Sequence, residues 1–253
     1  MNEIAQLRST IQGLYKTFNR YPRPSEIKYC PCGCTKPEEV LPLLASPLGD
    51  LEFDSLGNYS FSAMTTQGSV SDFKYFLPPL LEGIAQESYR YNPEILFGKL
   101  RYGKWLTWDE EEITGVREYM TALWRLGLHS YPIAPVLPAF FEVETLLGSL
   151  ASTGDRMEHY LAIWDGTHVV AADQHLIQFV TMYGADFAEG KSLCFGFWEN
   201  LREQSEEFRR WLLKAGTLGR VAQSRELLEI DGYENLFDLA LQVLRAESIA
   251  TFS

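Results

Sequence analysis

Apolar residues recur along this chain at steps of three and four, the spacing that stacks side chains on one face of a helix. Ile4, Leu7, Ile11, Leu14 and Phe18 open the pattern and predict a first helix that stops before Tyr21-Pro22-Arg23-Pro24. It stops there because proline removes a backbone donor and crowds the preceding turn. The two prolines, then Cys30, Pro31, Gly33 and Pro37, mark residues 20–37 as an irregular Pro/Cys-rich loop. Short helices are predicted around Pro37–Ala45 and over residues 54–64. Next comes a segment capped by Ser71-Asp72 and carrying Phe73, Phe76, Leu77, Leu80, Leu81 and Ile84, which Pro78-Pro79 is expected to kink or split.

The clearest helix is predicted over residues 108–126. Thr107 and Glu110 read as a capping box, Ile113, Val116, Met120 and Leu123 as the buried stripe, and Gly127 as the C-terminal stop. Comparable stripes follow: Phe140, Val143, Leu146 and Leu150; Leu176, Phe179, Val180 and Tyr183; Phe197, Leu201, Phe208 and Trp211; Leu236, Leu239, Val243 and Leu244. Over residues 161–171 two readings compete, a hairpin turning at Asp165-Gly166 or a helix-turn-helix. The helical flanks favour the second, since an isolated hairpin is marginal in water. The pattern therefore predicts an all-α chain, a single helical domain over residues 1–253. Its amphipathic helices are expected to pack as an irregular array of antiparallel pairs of the solenoid-like, HEAT-like kind.

Composition narrows the partners rather than the fold. With 253 residues and 46% hydrophobic side chains, the chain can bury a core without disulfides or metal. Its 34 acidic and 22 basic side chains leave a net charge of −12, which repels nucleic-acid phosphates and anionic membranes and attracts a basic protein. Residues 1–18 lack the uninterrupted apolar stretch of a signal peptide, no run is long enough to span a bilayer, and three of the four cysteines crowd into positions 30–34. The expected compartment is the cytoplasm.

Several segments together resemble a group of bacterial proteins. They are Phe18 to Pro24 (FNRYPRP), Cys30-Pro31-Cys32, Asp72 to Pro78 (DFKYFLP), and Lys99 to Trp124 with Trp105, Trp108, Glu111 and Leu123-Trp124. The similarity is clearest over residues 18–125, and no activity carries over from it. Gly33 stands where that pattern leads one to expect a second adjacent cysteine.

Candidate chemistry is sparse. Cys30, Cys32 and Cys34, held open by Pro31 and Gly33, form a candidate zinc site with Cys194 as a fourth ligand, but their one-residue spacing is tighter than zinc sites favour, so structural thiols read better. Residues 185–192 formally satisfy the loose phosphate-loop pattern; Asp186 and Glu189 would set carboxylates against the phosphates, which favours an ordinary turn. Asp165, His168 and His175 lack the matching ligands of a carboxylate-histidine metal bundle. Lys99, Arg101 and Lys104 among Tyr102, Trp105 and Trp108 read as a junction of packed rings with cations at the rim rather than a nucleic-acid surface. Asp109, Glu110, Glu111 and Glu112 are candidate contacts for a basic partner, although carboxylates in a first helical turn also answer the helix dipole. No assembled nucleophile, base and orienter is visible in the sequence. The leading expectation is a non-enzymatic protein-binding domain, such as an immunity-type protein that sequesters a basic toxin. The alternatives are a zinc protein or sensor built on the cysteines and a scaffold subunit.

Overall fold

The computed structural model describes residues 2–31, 33, 35–51, 53–86, 91–131, 143–188, 201–227 and 234–252. Among these residues the chain is all-α, with 12 α-helices and no strand beyond isolated bridges. Its contacts divide it into two compact units, Met1–Leu123 and Trp124–Ser253.

In the first unit, α1 (Glu3–Phe18) is capped by Asn2, whose side chain accepts from Ile4 N, and it buries Leu7, Ile11, Leu14 and Phe18. The short helices α2 (Pro37–Ala45) and α3 (Phe53–Ser62) lie where the pattern places them. Helix α4 (Val70–Ala85) begins earlier than expected, because Ser69 rather than Ser71-Asp72 caps it in a reciprocal box with Asp72. Pro78 and Pro79 sit inside α4 without splitting it. An interior proline costs about 3 kcal/mol or more, whereas each large apolar side chain fully buried contributes about 1.5–3 kcal/mol. Phe73, Phe76, Leu77, Leu80, Leu81 and Ile84 are all fully buried, so packing outweighs the lost hydrogen bonds.

Helix α5 (Pro93–Tyr102) leads through a 3-10 turn at Trp105–Thr107 into α6 (Glu110–Leu128). The start of α6 corrects the sequence reading. Thr107 ends the 3-10 turn with its hydroxyl donating to Lys104 O, and it is Asp109 whose carbonyl accepts from Glu112 N and Ile113 N. Gly127 falls inside the helix instead of ending it. Packing in this unit joins α1 to α4, and α3 to α2, α4 and α5. The loop after α1 is tethered by Cys30 N donating to Thr66 O and Gly68 N donating to Lys28 O.

The second unit holds α7 (Val143–Ser152), α8 (Glu158–Gly166), α9 (Val170–Ala188), α10 (Arg202–Leu212), α11 (Ala215–Gln223) and α12 (Glu234–Phe252). The competing hairpin at residues 161–171 is settled as helix-turn-helix. The reason comes from far along the chain: Arg220 of α11 donates to Trp164 O at 2.8 Å, to Thr167 O at 2.7 Å and to Asp173 at 2.5 Å. One guanidinium thus caps the end of α8 and fixes the start of α9. At the other end of α8, the Glu207 carboxylate accepts from Met157 N and Glu158 N.

Helix α12 packs along α9 through Phe237, Ala240, Leu241 and Leu244, leaving Leu236 and Leu239 of the expected stripe exposed. Gly184 lets the two helices approach closely, since a Cβ there would lie 3.2 Å from Leu244 and 3.5 Å from Ala240. Rings from four helices fill the core as Trp124–Trp164, Trp164–Trp211 and Phe208–Phe179 contacts with centroids 5.4, 5.0 and 5.0 Å apart. Phe140 and Phe197 of the expected stripes lie outside the described residues.

Candidate functional site

Three of the four segments that carry the resemblance meet in the first unit, around a buried ion pair. Lys74 of α4 donates to Glu112 of α6 at 2.7 Å, with 11% of the lysine side chain and none of the glutamate exposed. The Tyr21 hydroxyl completes the pair, donating to Glu112 Oε1 at 2.5 Å and accepting from Lys74 Nζ at 2.9 Å. Lys74 Nζ also lies 4.4 Å from the centroid of the Trp108 ring and 5.1 Å from that of Tyr21. Phe18 and Phe73 set their rings edge-on to Trp108.

Each member is placed by local structure. Tyr21 follows the end of α1, where Tyr21 N donates to Phe18 O and Arg20 Nε to Thr17 O. Arg20 then reaches the first turn of α6, bonding Asp109 at 3.1 Å and Glu111 at 2.6 Å.

Burial alone would push the Glu112 carboxyl up, but the hydrogen bonds and charge of Lys74, with Tyr21, outweigh it and hold the carboxyl below its usual range. Burial disfavours the Lys74 ammonium, and Glu112 and Tyr21 reverse that effect, so its pKa lies above the usual value. The Tyr21 phenol is raised by burial and by its bond to Glu112. Lysine stays charged, glutamate ionised and tyrosine neutral. Those states lock a structure and do not exchange protons near neutral pH.

Of the acidic run, Glu112 is therefore taken off the surface, Asp109 and Glu111 face solvent while pairing with Arg20, and Glu110 is exposed. Sequence reasoning missed Arg20, Tyr21 and Lys74. The signal was present: Lys74 lies in register with Leu77, Leu81 and Ile84, and Glu112 with Val116, Tyr119 and Leu123, so each apolar stripe contains one charge, of opposite sign.

Cys30 is half-buried, while Cys32, Cys34 and Cys194 lie outside the described residues. Among the described residues no group of three or more His, Cys, Asp or Glu side chains is placed to hold a metal ion. His175 is buried and its Nε2 donates to Ser130 O at 2.8 Å and Gly127 O at 3.1 Å; burial lowers its pKa despite those bonds. His168 is exposed, and Asp165 accepts from the Trp211 indole at 2.8 Å, so the three residues share no ligand geometry. The phosphate-loop pattern falls partly on the end of α9 and, from residue 189 to 192, outside the described residues. In the basic-aromatic segment, Trp105 is fully buried under the Arg117 guanidinium and Lys99 donates to Thr65, an arrangement of packed rings with cations beside them.

No described helix is long and apolar enough to cross a membrane. No family model matches the chain, and neither a curated protein nor a solved structure matches it significantly.

Proposed function

We propose that this chain is a non-enzymatic binding protein of the cytoplasm whose acidic helical surface captures a basic protein partner, in the way an immunity protein sequesters a basic toxin domain. The supporting observation is where the charge lies. Acidic side chains exceed basic ones by 34 to 22, and among the described acidic residues only Glu94, Glu112 and Asp155 are buried. A surface of this kind speeds encounter with a basic partner and rejects acidic ones. The locked charge states of Lys74, Glu112 and Tyr21 favour the same reading, because they tie this buried polar cluster to architecture.

Affinity purification from the native cells at low salt tests the proposal. It is expected to recover one stoichiometric basic protein whose association slows as ionic strength rises, because screening shortens the reach of surface charge. Reversing the exposed Glu38, Glu39 and Glu110 to lysine is expected to reduce the association rate by about tenfold. Recovery of no partner, or of one whose binding ignores both salt and charge reversal, would refute it.

A further inference from the structure

The surface of the second unit carries two adjoining shallow depressions, open to solvent and each of about 440 Å³, that share Lys214 and Phe252. Each volume is in the range that takes a small organic ligand. Leu161 and Ala162 of α8, Trp211 of α10, and Ile249 and Phe252 of α12 supply apolar walls. Ile249 is 71% exposed and Phe252 60% exposed, whereas Leu161 and Trp211 are buried in the core, so the large apolar surface open to water is supplied by α12.

The charges at the rim are unequally used. Arg156 pairs with Glu158, Glu207 accepts from the backbone at the start of α8, and Asp165 accepts from the Trp211 indole. Arg210 donates only to Glu206 O within its own helix, and neither it nor Lys214 has an ion-pair partner among the described residues. The acids lining the depressions already have donors, whereas two of the cations have no acceptor of opposite charge.

We propose that these adjoining depressions bind a small anionic amphiphile, a single carboxylate on an aliphatic or aryl body. The head would be taken by the terminal nitrogens of Arg210, whose Nε is held by Glu206 O, together with the Lys214 ammonium, and the body by the apolar lining. The overall charge of −12 narrows the class further, because a polyanion or an anionic bilayer would meet long-range repulsion that a small monoanion largely escapes. The site lies within the second unit and is independent of how a protein partner is captured.

Isothermal titration of the full chain with octanoate, octylamine, acetate and anionic phosphatidylglycerol vesicles tests this. Octanoate is expected to bind 1:1 with a Kd on the order of 1 mM or tighter, as its size allows. Octylamine, which keeps the tail and inverts the head charge, and acetate, which keeps the head alone, are each expected to bind at least about tenfold more weakly. Replacing Arg210 and Lys214 together by Gln is expected to weaken octanoate by about tenfold or more, and Phe252→Ala to weaken it as well. All three residues are exposed, so the thermal melting curves of both variants should overlay the parent's. Octanoate binding unchanged in the double variant, equal binding of octylamine, binding to vesicles alone, or no heat with octanoate would each overturn the proposal.

Discussion

Lys74 and Glu112 show what a buried charge asks of its surroundings. Removing Lys74 leaves the buried Glu112 with only the Tyr21 hydroxyl and the Arg20 guanidinium 4.0 Å away to answer its charge, so Lys74→Met is expected to lower unfolding free energy by about 3 kcal/mol. The paired replacement Lys74→Met/Glu112→Leu is expected to recover most of that loss, because no orphan charge remains, and urea denaturation of the three proteins checks both steps. The pH dependence follows from the directions of the shifts. Glu112, depressed in the fold, contributes stability above the ordinary carboxylate range and loses it as pH falls through its lowered value. Lys74, raised in the fold, contributes below the ordinary lysine value and loses it as pH rises through its raised value. Hence the stability difference between the parent and the double variant is expected to be flat from mildly acidic to mildly alkaline pH and to shrink on both sides. The cysteines make a separate test. If they are structural thiols, Cys30→Ser, Cys32→Ser and Cys34→Ser should each cost about 1–2 kcal/mol at most, and a chelator should not move the melting temperature. A chelator-induced fall that disappears in Cys30→Ser/Cys32→Ser would instead place zinc at the cluster.

At the scale of elements, α6 and the α8–α9 turn were legible to different degrees. Of the expected stripe, Val116, Met120 and Leu123 are fully or almost fully buried and Ile113, nearer the helix start, only partly so, and Val116→Asp is expected to unfold or aggregate the protein by putting a carboxylate in that interior. A soluble variant with an unchanged melt would remove α6 from the core. The ends were harder to read, because caps were chosen by residues that compete locally. Ser69 outcompeted Ser71, and a 3-10 turn absorbed Thr107. The start and end of α8 lay beyond any local signal, since Glu207 and Arg220 reach them from about fifty residues away. Arg220→Met is expected to cost about 3 kcal/mol by stripping two carbonyls and Asp173 of their donor. Hydrogen exchange should then show the α8–α9 turn opening before α12.

For the whole molecule, a far-UV circular dichroism spectrum dominated by helix is the expected readout, and a major strand component would contradict both periodicity and structure. The all-α class was readable because a 3.6-residue apolar period is a local property, repeated in every long segment and needing no knowledge of partners. The excess of acid was readable as a count, yet which carboxylates face water was not: Glu110 and Glu112 stand two residues apart, one exposed and one fully buried. A helix turns about 100° per residue, so that separation carries a side chain from solvent to core once a neighbouring element covers one face. The same rule moved the buried face of α12 onto Phe237, Ala240, Leu241 and Leu244, because α12 has apolar residues on more than one side and packing against α9 and α11 selects among them. The amino-acid sequence by itself determined the helices, their approximate extents and the net charge, all set by short-range spacing and composition. Only the tertiary structure decided which charges pair, which caps serve and which apolar residues stay in water, since each depends on groups that folding brings together from distant parts of the chain.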